Sequence, residues 1–338
     1  MLFKLLQKHG KSHTPACLTL ALNGLLLAAF SQAQADLLPP QAVDTSAIPQ
    51  TVISAADADS KPLPFYRIAA DTYLLYANIA EVNSTNRGFN GNAGFVVTRD
   101  GVVVIDSLGT PKLGKRLIAT VRKVSKLPIR YLILTHNHPD HSYGAVAFQS
   151  LPGIKIIGHE GTLNYLNSDN LQGSVAFRRN LIAADMQGFK AVEPDILVGG
   201  KRFDRYSFTL GGKTFAIYNT GQPHSFGDLV VHQVEDRHLW ISDLAFNNRS
   251  TFMGDGHSGE ILETIDWLRK NFLDTRLVIP GHGSAQTPPF PMLEKTYNYV
   301  KHNPAIKEYI KRCNQYGYWN FINSESTTMR ITTAKIIE

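Results

Sequence analysis

The sequence has very few cysteines, no long apolar run and only a small excess of positive charge. Two cysteines in 338 residues exclude a disulfide-stapled scaffold. The longest apolar stretch, Cys17 to Phe30, is shorter than the roughly 18 to 20 residues that span a bilayer, which excludes a multi-span membrane protein. Hydrophobic residues make up 43% of the chain and the 26 glycines have no regular period, so disordered and collagen-like proteins are excluded as well.

The N-terminus has the pattern of an export signal. Three lysines precede the apolar run, no acidic residue stands before Asp36, and Ala33-Gln34-Ala35 matches an A-x-A cleavage site. We therefore predict a signal peptide over residues 1–35, a periplasmic or secreted mature chain, and no stable membrane insertion after cleavage. Retention of the segment as an N-terminal anchor is the alternative, because the basic region is long and Asn23 interrupts the apolar run.

Cleavage would also change the charge and the cysteine content. The three lysines leave with the signal and no carboxylate does, so 31 basic residues face 28 acidic ones and the formal charge falls from +6 to +3. No run of Lys and Arg remains that would follow a phosphate backbone, so we expect a small-molecule substrate and no nucleic acid. Cys313 is then the single cysteine and cannot form an internal disulfide, so stability would rest on the core and on any bound metal.

Hairpin and helix patterns alternate along the rest of the chain. They predict one mixed α/β sandwich domain over residues 66–320, preceded by an extended leader over 36–65 and followed by a tail over 321–338. The predicted strands pair around Asp100-Gly101 and Gly211-Gly212, both of which are turn signals. Helices are predicted over 113–124, 259–271 and 291–313, the last with Pro304 as a kink.

Four metal-competent side chains stand within six residues directly after the predicted strand that ends at Leu134. They are His136, His138, Asp140 and His141 in the segment Thr-His-Asn-His-Pro-Asp-His. Residues two apart in an extended segment point the same way, so the first two histidines can reach one metal from one side. The chain must turn at Pro139, after which the other two side chains can reach a second metal. Neutral imidazole and carboxylate oxygen are good Zn²⁺ ligands, so the segment predicts a binuclear site.

Three more candidate ligands each follow an apolar strand, where the chain passes into a polar or glycine-rich loop. His224 follows the strand at 216–218, Asp243 ends the strand at 239–241, and His282 follows the strand at 277–279. Any one of them alone would more often be an ordinary loop residue. Together with the first four they make seven ligands, which suits two metal ions.

These motifs, in this order, resemble those of the metallo-β-lactamase superfamily from about Asn92 to Gly283. The resemblance covers Asp106, then the histidine-rich segment, then His224, Asp243 and His282. One departure is Pro223, which stands where that family usually has glycine before the histidine of its third motif. Ser225, Gly227 and Asp228 match.

The resemblance implies an αββα sandwich in a single domain, with metals at one edge of the two sheets. It implies that His136, His138 and His224 hold a first ion, that Asp140, His141 and His282 hold a second, and that Asp243 bridges both. Two Zn²⁺ ions are the expected cofactors, with iron or manganese as other possibilities. A metal-bridged hydroxide would attack an ester, thioester, lactone or amide carbonyl, with Asp140 orienting it or accepting its proton. Asp106 would receive an N–H of a ligand imidazole.

Other members of the superfamily keep different functions open. An aspartate at position 243 resembles glyoxalase II and the lactonases, whereas one large group of β-lactamases has a cysteine there. The sequence around the histidines, together with the signal peptide, looks most like that of periplasmic metallohydrolases associated with quinoprotein or sulfur-oxidation systems. β-Lactamase activity remains an alternative. So does a mononuclear iron persulfide dioxygenase, which would use His136, His224 and Asp243, or an accessory protein of a periplasmic redox system.

Several other polar residues have an ordinary interpretation beside a functional one. His159 and His257 lie on possible rim loops but are expected to be surface or hydrogen-bonded histidines. Tyr165, Arg178 and Arg179 fall in a less regular insertion, about 162–194, which could form a lid over the metals. A solvated helix face explains the two arginines equally well.

Overall fold

The computed structural model describes residues 52–247 and 249–302, all within one compact unit. The predicted signal peptide, both cysteines, the first part of the predicted leader, the end of the predicted last helix with Pro304, and the predicted tail lie outside the described residues. The domain limit at residue 320 therefore stays a prediction. No helix among the described residues is both long enough and apolar enough to span a bilayer.

The first sheet has seven strands in sequence order, β1 to β7. Strands β1 to β4 pair antiparallel and β4 to β7 pair parallel. The predicted hairpin around Asp100-Gly101 is confirmed as the β3–β4 pair. The strands are β1 Tyr66–Ala69, β2 Thr72–Leu75, β3 Ala93–Val97, β4 Val102–Ile105, β5 Ile129–Ile133, β6 Lys155–His159 and β7 Ile196–Val198.

The second sheet has five strands in the order β12-β11-β10-β9-β8. The hairpin predicted around Gly211-Gly212 is confirmed as the antiparallel pair β8–β9, β10 and β11 form a second antiparallel pair, and β12 lies parallel to β11. Because β9 and β11 each run antiparallel to β10, the strands β9, β11 and β12 share one direction. The strands are β8 Arg205–Leu210, β9 Lys213–Asn219, β10 Leu229–Gln233, β11 His238–Ser242 and β12 Leu277–Pro280.

Helices cover the outer faces of both sheets. Helix α1, Pro111–Val124, begins at the cap Thr110, whose hydroxyl accepts from the Leu113 N–H, and it packs on the first sheet. Two short turns follow β5, namely α2 Pro139–Ser142 and a 3₁₀ turn Tyr143–Ala147. Four further helices are α3 Thr162–Leu166, α4 Asp169–Ile182, α5 Ser258–Asn271 and α6 Pro291–His302. Helices α5 and α6 pack on the second sheet.

The core lies in three layers that match this arrangement. A central cluster joins the facing sides of the sheets, with Ile105 and Ile133 from the first sheet against Phe215 and Trp240 from the second. Outer clusters fill the space between each sheet and its helices. The αββα sandwich that the resemblance implied is therefore confirmed, because each sheet buries one face on the other and one face on helices.

The last residues of the predicted leader are packed onto the domain. Residues 52–65 contain no strand or helix. Ile53 and Leu63 are nevertheless buried in the outer cluster of the first sheet, and Asp57 pairs with Arg116 at 3.2 Å. The apolar side chains of this segment have no regular spacing among its polar residues and prolines, so the sequence pattern did not reveal this packing.

Candidate metal centre

The candidate ligands meet because the strands that precede them end at the same edge of the sandwich. His136 and its neighbours follow β5, His224 follows β9, Asp243 directly follows β11, and His282 lies two residues after β12. Since β9, β11 and β12 share one direction, their carboxyl ends lie side by side. The structure brings all seven sequence-predicted ligands together in two adjoining groups.

The first group contains three imidazoles and one carboxylate. The ligand atoms of His136, His138, His224 and Asp243 all lie within 4.8 Å of one another, and all four residues are buried. His224 Nε2 lies 2.9 Å from His138 Nδ1 and 3.2 Å from Asp243 Oδ2. His136 Nε2 lies 3.6 Å from the same carboxylate oxygen.

The second group contains Asp140, His141 and His282, again with ligand atoms within 4.8 Å of one another. His282 Nε2 is 3.4 Å from both Asp140 Oδ2 and His141 Nε2. Asp243 also reaches this group, with Oδ1 at 3.3 Å from His141 Nε2 and Oδ2 at 3.3 Å from His282 Nε2. One carboxylate thus contacts imidazoles of both groups, which is the arrangement of a bridging ligand.

Hydrogen bonds on the outer nitrogens orient three of the imidazoles. His141 Nδ1 lies 2.9 Å from Asp106 Oδ2, which is the contact that the resemblance implied for this aspartate. His138 Nε2 lies 3.0 Å from Asp255 Oδ2, and His224 Nδ1 lies 2.7 Å from the Phe252 carbonyl oxygen. Each of these oxygens accepts an N–H, so the opposite ring nitrogen of each histidine turns its lone pair toward the other ligands.

The loop that carries His224 is held by Asp228. Its Oδ2 accepts the backbone N–H groups of His224 and Ser225 at 2.9 Å, and its Oδ1 accepts the Ser225 hydroxyl at 2.8 Å. Pro223 has no N–H to contribute, and none of these bonds requires one. The departure from the family pattern at residue 223 therefore leaves His224 facing the first group.

The donor set fits divalent metal ions. His136 Nε2 is enclosed and has no hydrogen-bond partner among the described residues. Buried polar atoms in native proteins are almost always satisfied, so this atom indicates a partner that a metal would provide. Imidazole nitrogen together with carboxylate oxygen suits Zn²⁺, Fe²⁺ and Mn²⁺.

In the metal-free chain, the pKa values of the ionisable side chains at the centre are strongly shifted. Burial by itself would raise the pKa of Asp243, but His141, His282 and His136 outweigh burial and hold that pKa well below its usual range. Burial likewise opposes ionisation of Asp140, yet His141, His282 and Arg178 lower its pKa to about 2. The centre therefore keeps its carboxylates anionic and attracts positive charge.

The surroundings shift the pKa values of His136 and His141 in opposite directions. Burial lowers the pKa of His136 well below its usual value, and the neighbouring imidazoles add to this effect. Burial also opposes the protonation of His141, but Asp243, Asp140 and Asp106 together raise its pKa well above the usual value. An imidazole among three carboxylates takes up a proton where no metal balances their charge, so metal binding should displace that proton.

Sequence reasoning missed several groups that contact the ligands, among them Asn90, Asp255 and the Phe252 carbonyl. Asn90 Nδ2 donates to Asp140 Oδ2 at 3.0 Å from a loop far away in sequence. Asp255 lies two residues before His257, and only the histidine was considered as a candidate. The Phe252 carbonyl is backbone, so no side-chain signal could have revealed it. Asp255 is the one that a search for carboxylates near glycine-rich loops could have found.

The remaining histidines near the centre are satisfied or exposed. His159 is buried, with Nε2 at 2.8 Å from Asn219 Oδ1, and its Nδ1 accepts the Gly161 N–H. His257 is exposed at the start of α5. Tyr165 and Arg178 are buried and Arg179 is exposed, so a solvated helix face accounts for only one of the two arginines.

Comparisons with known proteins agree with this geometry. The family model described as the metallo-beta-lactamase superfamily matches residues 86–282. The metallo-beta-lactamase IND-1 of Chryseobacterium indologenes is 25% identical over 197 residues, which cover 57% of this chain and 72% of that protein. The metallo-beta-lactamase type 2 of Elizabethkingia meningoseptica is 26% identical over 216 residues, 63% of this chain and 76% of that protein. The solved metallo-beta-lactamase from Pontibacter korlensis has the same fold, with a TM-score of 0.56, 17% identity, and coverage of 71% of this chain and 100% of that one.

Proposed function

Because the chain belongs to the metallo-beta-lactamase superfamily, whose homologues here are metal-dependent hydrolases, we propose that it is an exported enzyme with two zinc ions. Its substrate is a small molecule with an ester, thioester, lactone or amide carbonyl. The observation that carries the proposal is Asp243, whose carboxylate contacts imidazoles of both ligand groups. A mononuclear iron dioxygenase needs only His136, His224 and Asp243, and would leave the second group without a function.

The seven candidate ligands would hold the two ions in two sets that share one carboxylate. His136, His138 and His224 would hold the first ion, Asp140, His141 and His282 the second, and Asp243 both. When bound, two dications supply Lewis acidity that polarises a carbonyl and lowers the pKa of water from about 15.7 toward 7.

Asp140 is the residue best placed to act on the nucleophile. Its Oδ2 is held by Asn90 and its side chain is 13% exposed, at the mouth of an otherwise enclosed group. An anionic carboxylate in this position accepts a hydrogen bond from an attacking water and receives its proton as the new C–O bond forms.

Metal analysis coupled to a hydrolysis panel tests the proposal. The purified chain should contain close to two zinc ions and should hydrolyse at least one class among thioesters, lactones and β-lactams. Both relatives described above are metallo-beta-lactamases, which favours β-lactam hydrolysis as the second candidate function. The β-lactams in the same panel test that function. One iron per chain, with no hydrolysis but oxygen consumption on a persulfide, would replace the hydrolase with the dioxygenase.

Export is a separate prediction with its own measurement. The basic segment, the short apolar run and Ala33-Gln34-Ala35 favour cleavage before Asp36. N-terminal sequencing of the chain from its native host should therefore begin at or near Asp36. An uncleaved product that fractionates with the cytoplasm would contradict export and leave the metal centre untouched.

A further inference from the structure

Helix α4 carries a buried arginine that no step above uses. Arg178 is 5% exposed, whereas Arg179 beside it is exposed. The Arg178 Nη1 atom is enclosed and has no hydrogen-bond partner among the described residues. Two other buried or nearly buried arginines of the described chain pair with carboxylates, Arg87 with Asp185 and Arg116 with Asp57. A buried cation without such a pair is costly unless nearby charge compensates it.

The guanidinium lies in a slot between two backbone turns and an aromatic ring. A Cβ at either Gly88 or Gly109 would lie 3.3 Å from Arg178 Nη1, so both glycines border the charged group. On another side, the Arg178 Cζ lies 5.8 Å from the centre of the Tyr143 ring, within cation–π range. Gly88 has a φ of +84°, which favours glycine at this turn independently of the slot.

Two of the three groups that border the slot, the turn at Gly88 and Tyr143, lead directly to the second ligand group. The turn at Gly88 continues to Asn90, which donates to Asp140 Oδ2 at 3.0 Å. It then reaches Gly91, where an added Cβ would lie 2.8 Å from His141 Nε2. Tyr143 immediately follows α2, the short helix that carries both Asp140 and His141.

We propose that Arg178 is a positioning residue for the second metal position, holding the 88–91 segment against α2. This inference rests on the two-metal function proposed above. The first position is supported by other groups, since His138 and His224 are oriented by Asp255 and Phe252. Loss of Arg178 should therefore affect the two positions unequally.

The test is a zinc titration of the metal-stripped full chain, read by competition with a chromophoric chelator. In Arg178→Met the side-chain volume is nearly kept and the charge is lost. We expect the first zinc equivalent to bind as in the wild type and the second to bind about 10-fold or more weakly, the effect typical of groups that orient ligands. Arg178→Lys restores the charge without the planar guanidinium. Its affinity for the second zinc ion should therefore lie between those of the wild type and Arg178→Met. Arg179→Met is the matched control on the same helix and should bind both ions normally.

The outcomes separate the inference from the function on which it rests. Two zinc ions in the wild type together with an unchanged second equivalent in Arg178→Met would overturn the positioning role alone. Equal weakening of both equivalents would also overturn it, because that pattern reports general loosening of the fold. A wild-type chain that takes up a single ion would overturn the two-metal function and the inference with it. If Arg178→Met does not fold, the Lys variant decides by the same comparison of the two equivalents.

Discussion

Replacing Asp140 by alanine should reduce hydrolysis by at least about 10²-fold, the contribution typical of a positioned acid/base group. The loss should be larger still, because the same change removes a candidate ligand of the second ion. His136, His138 and His224 keep their positions, so the variant should fold and retain close to one metal per chain. The measurements are metal content and kcat/KM on whichever substrate the panel identifies.

Two further variants make the Asp140 result specific. His136→Ala should instead weaken the first position, where its Nε2 lies 3.6 Å from Asp243. Asp274→Ala is the matched control, since that aspartate is 67% exposed and precedes β12, whereas His282 follows the opposite end of that strand. A variant at Asp140 with near-full activity and one iron per chain would overturn the hydrolase mechanism, because the dioxygenase interpretation leaves Asp140 peripheral. That outcome can be read without knowledge of the natural substrate.

Removing the metal should lower the melting temperature by roughly 5 °C or more. An ion present at a hundred times its Kd contributes about 2.7 kcal/mol by mass action. For a domain of this size, each kcal/mol shifts the melting temperature by about 2 to 4 °C. The seven candidate ligands come from both sheets, so the ions would join the two halves of the sandwich. Scanning calorimetry before and after chelation, with metal content checked, measures the shift.

Zinc re-addition is the control for the chelation experiment. The melting temperature should return to its original value once the ions are restored, which excludes irreversible damage by the chelator.

The metal-free protein should also take up a proton at His141, because the carboxylates that raise its pKa would lack their counter-ions. An unchanged melt after verified metal removal would show that the core alone holds the sandwich together.

The local part of the site was predictable from sequence because its residues are neighbours. His136, His138, Asp140 and His141 lie within six residues after a strand, so alternation and one proline were enough to infer two metal positions. The hairpins were equally predictable, since a glycine turn between two apolar runs is a local signal. Strands β1 and β7 gave weaker patterns, and the sequence pattern did not separate them from loops.

The choice of His224, Asp243 and His282 needed more than local pattern. Each stands at a strand end, where many polar residues stand, so position made them candidates and the resemblance to the superfamily supported the choice. The tertiary structure brings their ligand atoms next to the first four. It does so because β9, β11 and β12 share a direction that strand pairing sets and that no one strand's sequence contains.

The sequence by itself determined the element types and the chemical nature of the ligands, since hydrophobic periodicity and side-chain chemistry are properties of short segments. Only the tertiary structure decided that Asn90 reaches Asp140, that Asp255 reaches His138, and that Arg178 is buried while Arg179 is exposed. Helix α4 has apolar residues scattered around it, so its pattern did not indicate which face would be covered. The burial of a polar side chain is a property of the surfaces that meet it, and those surfaces come from segments distant in the chain.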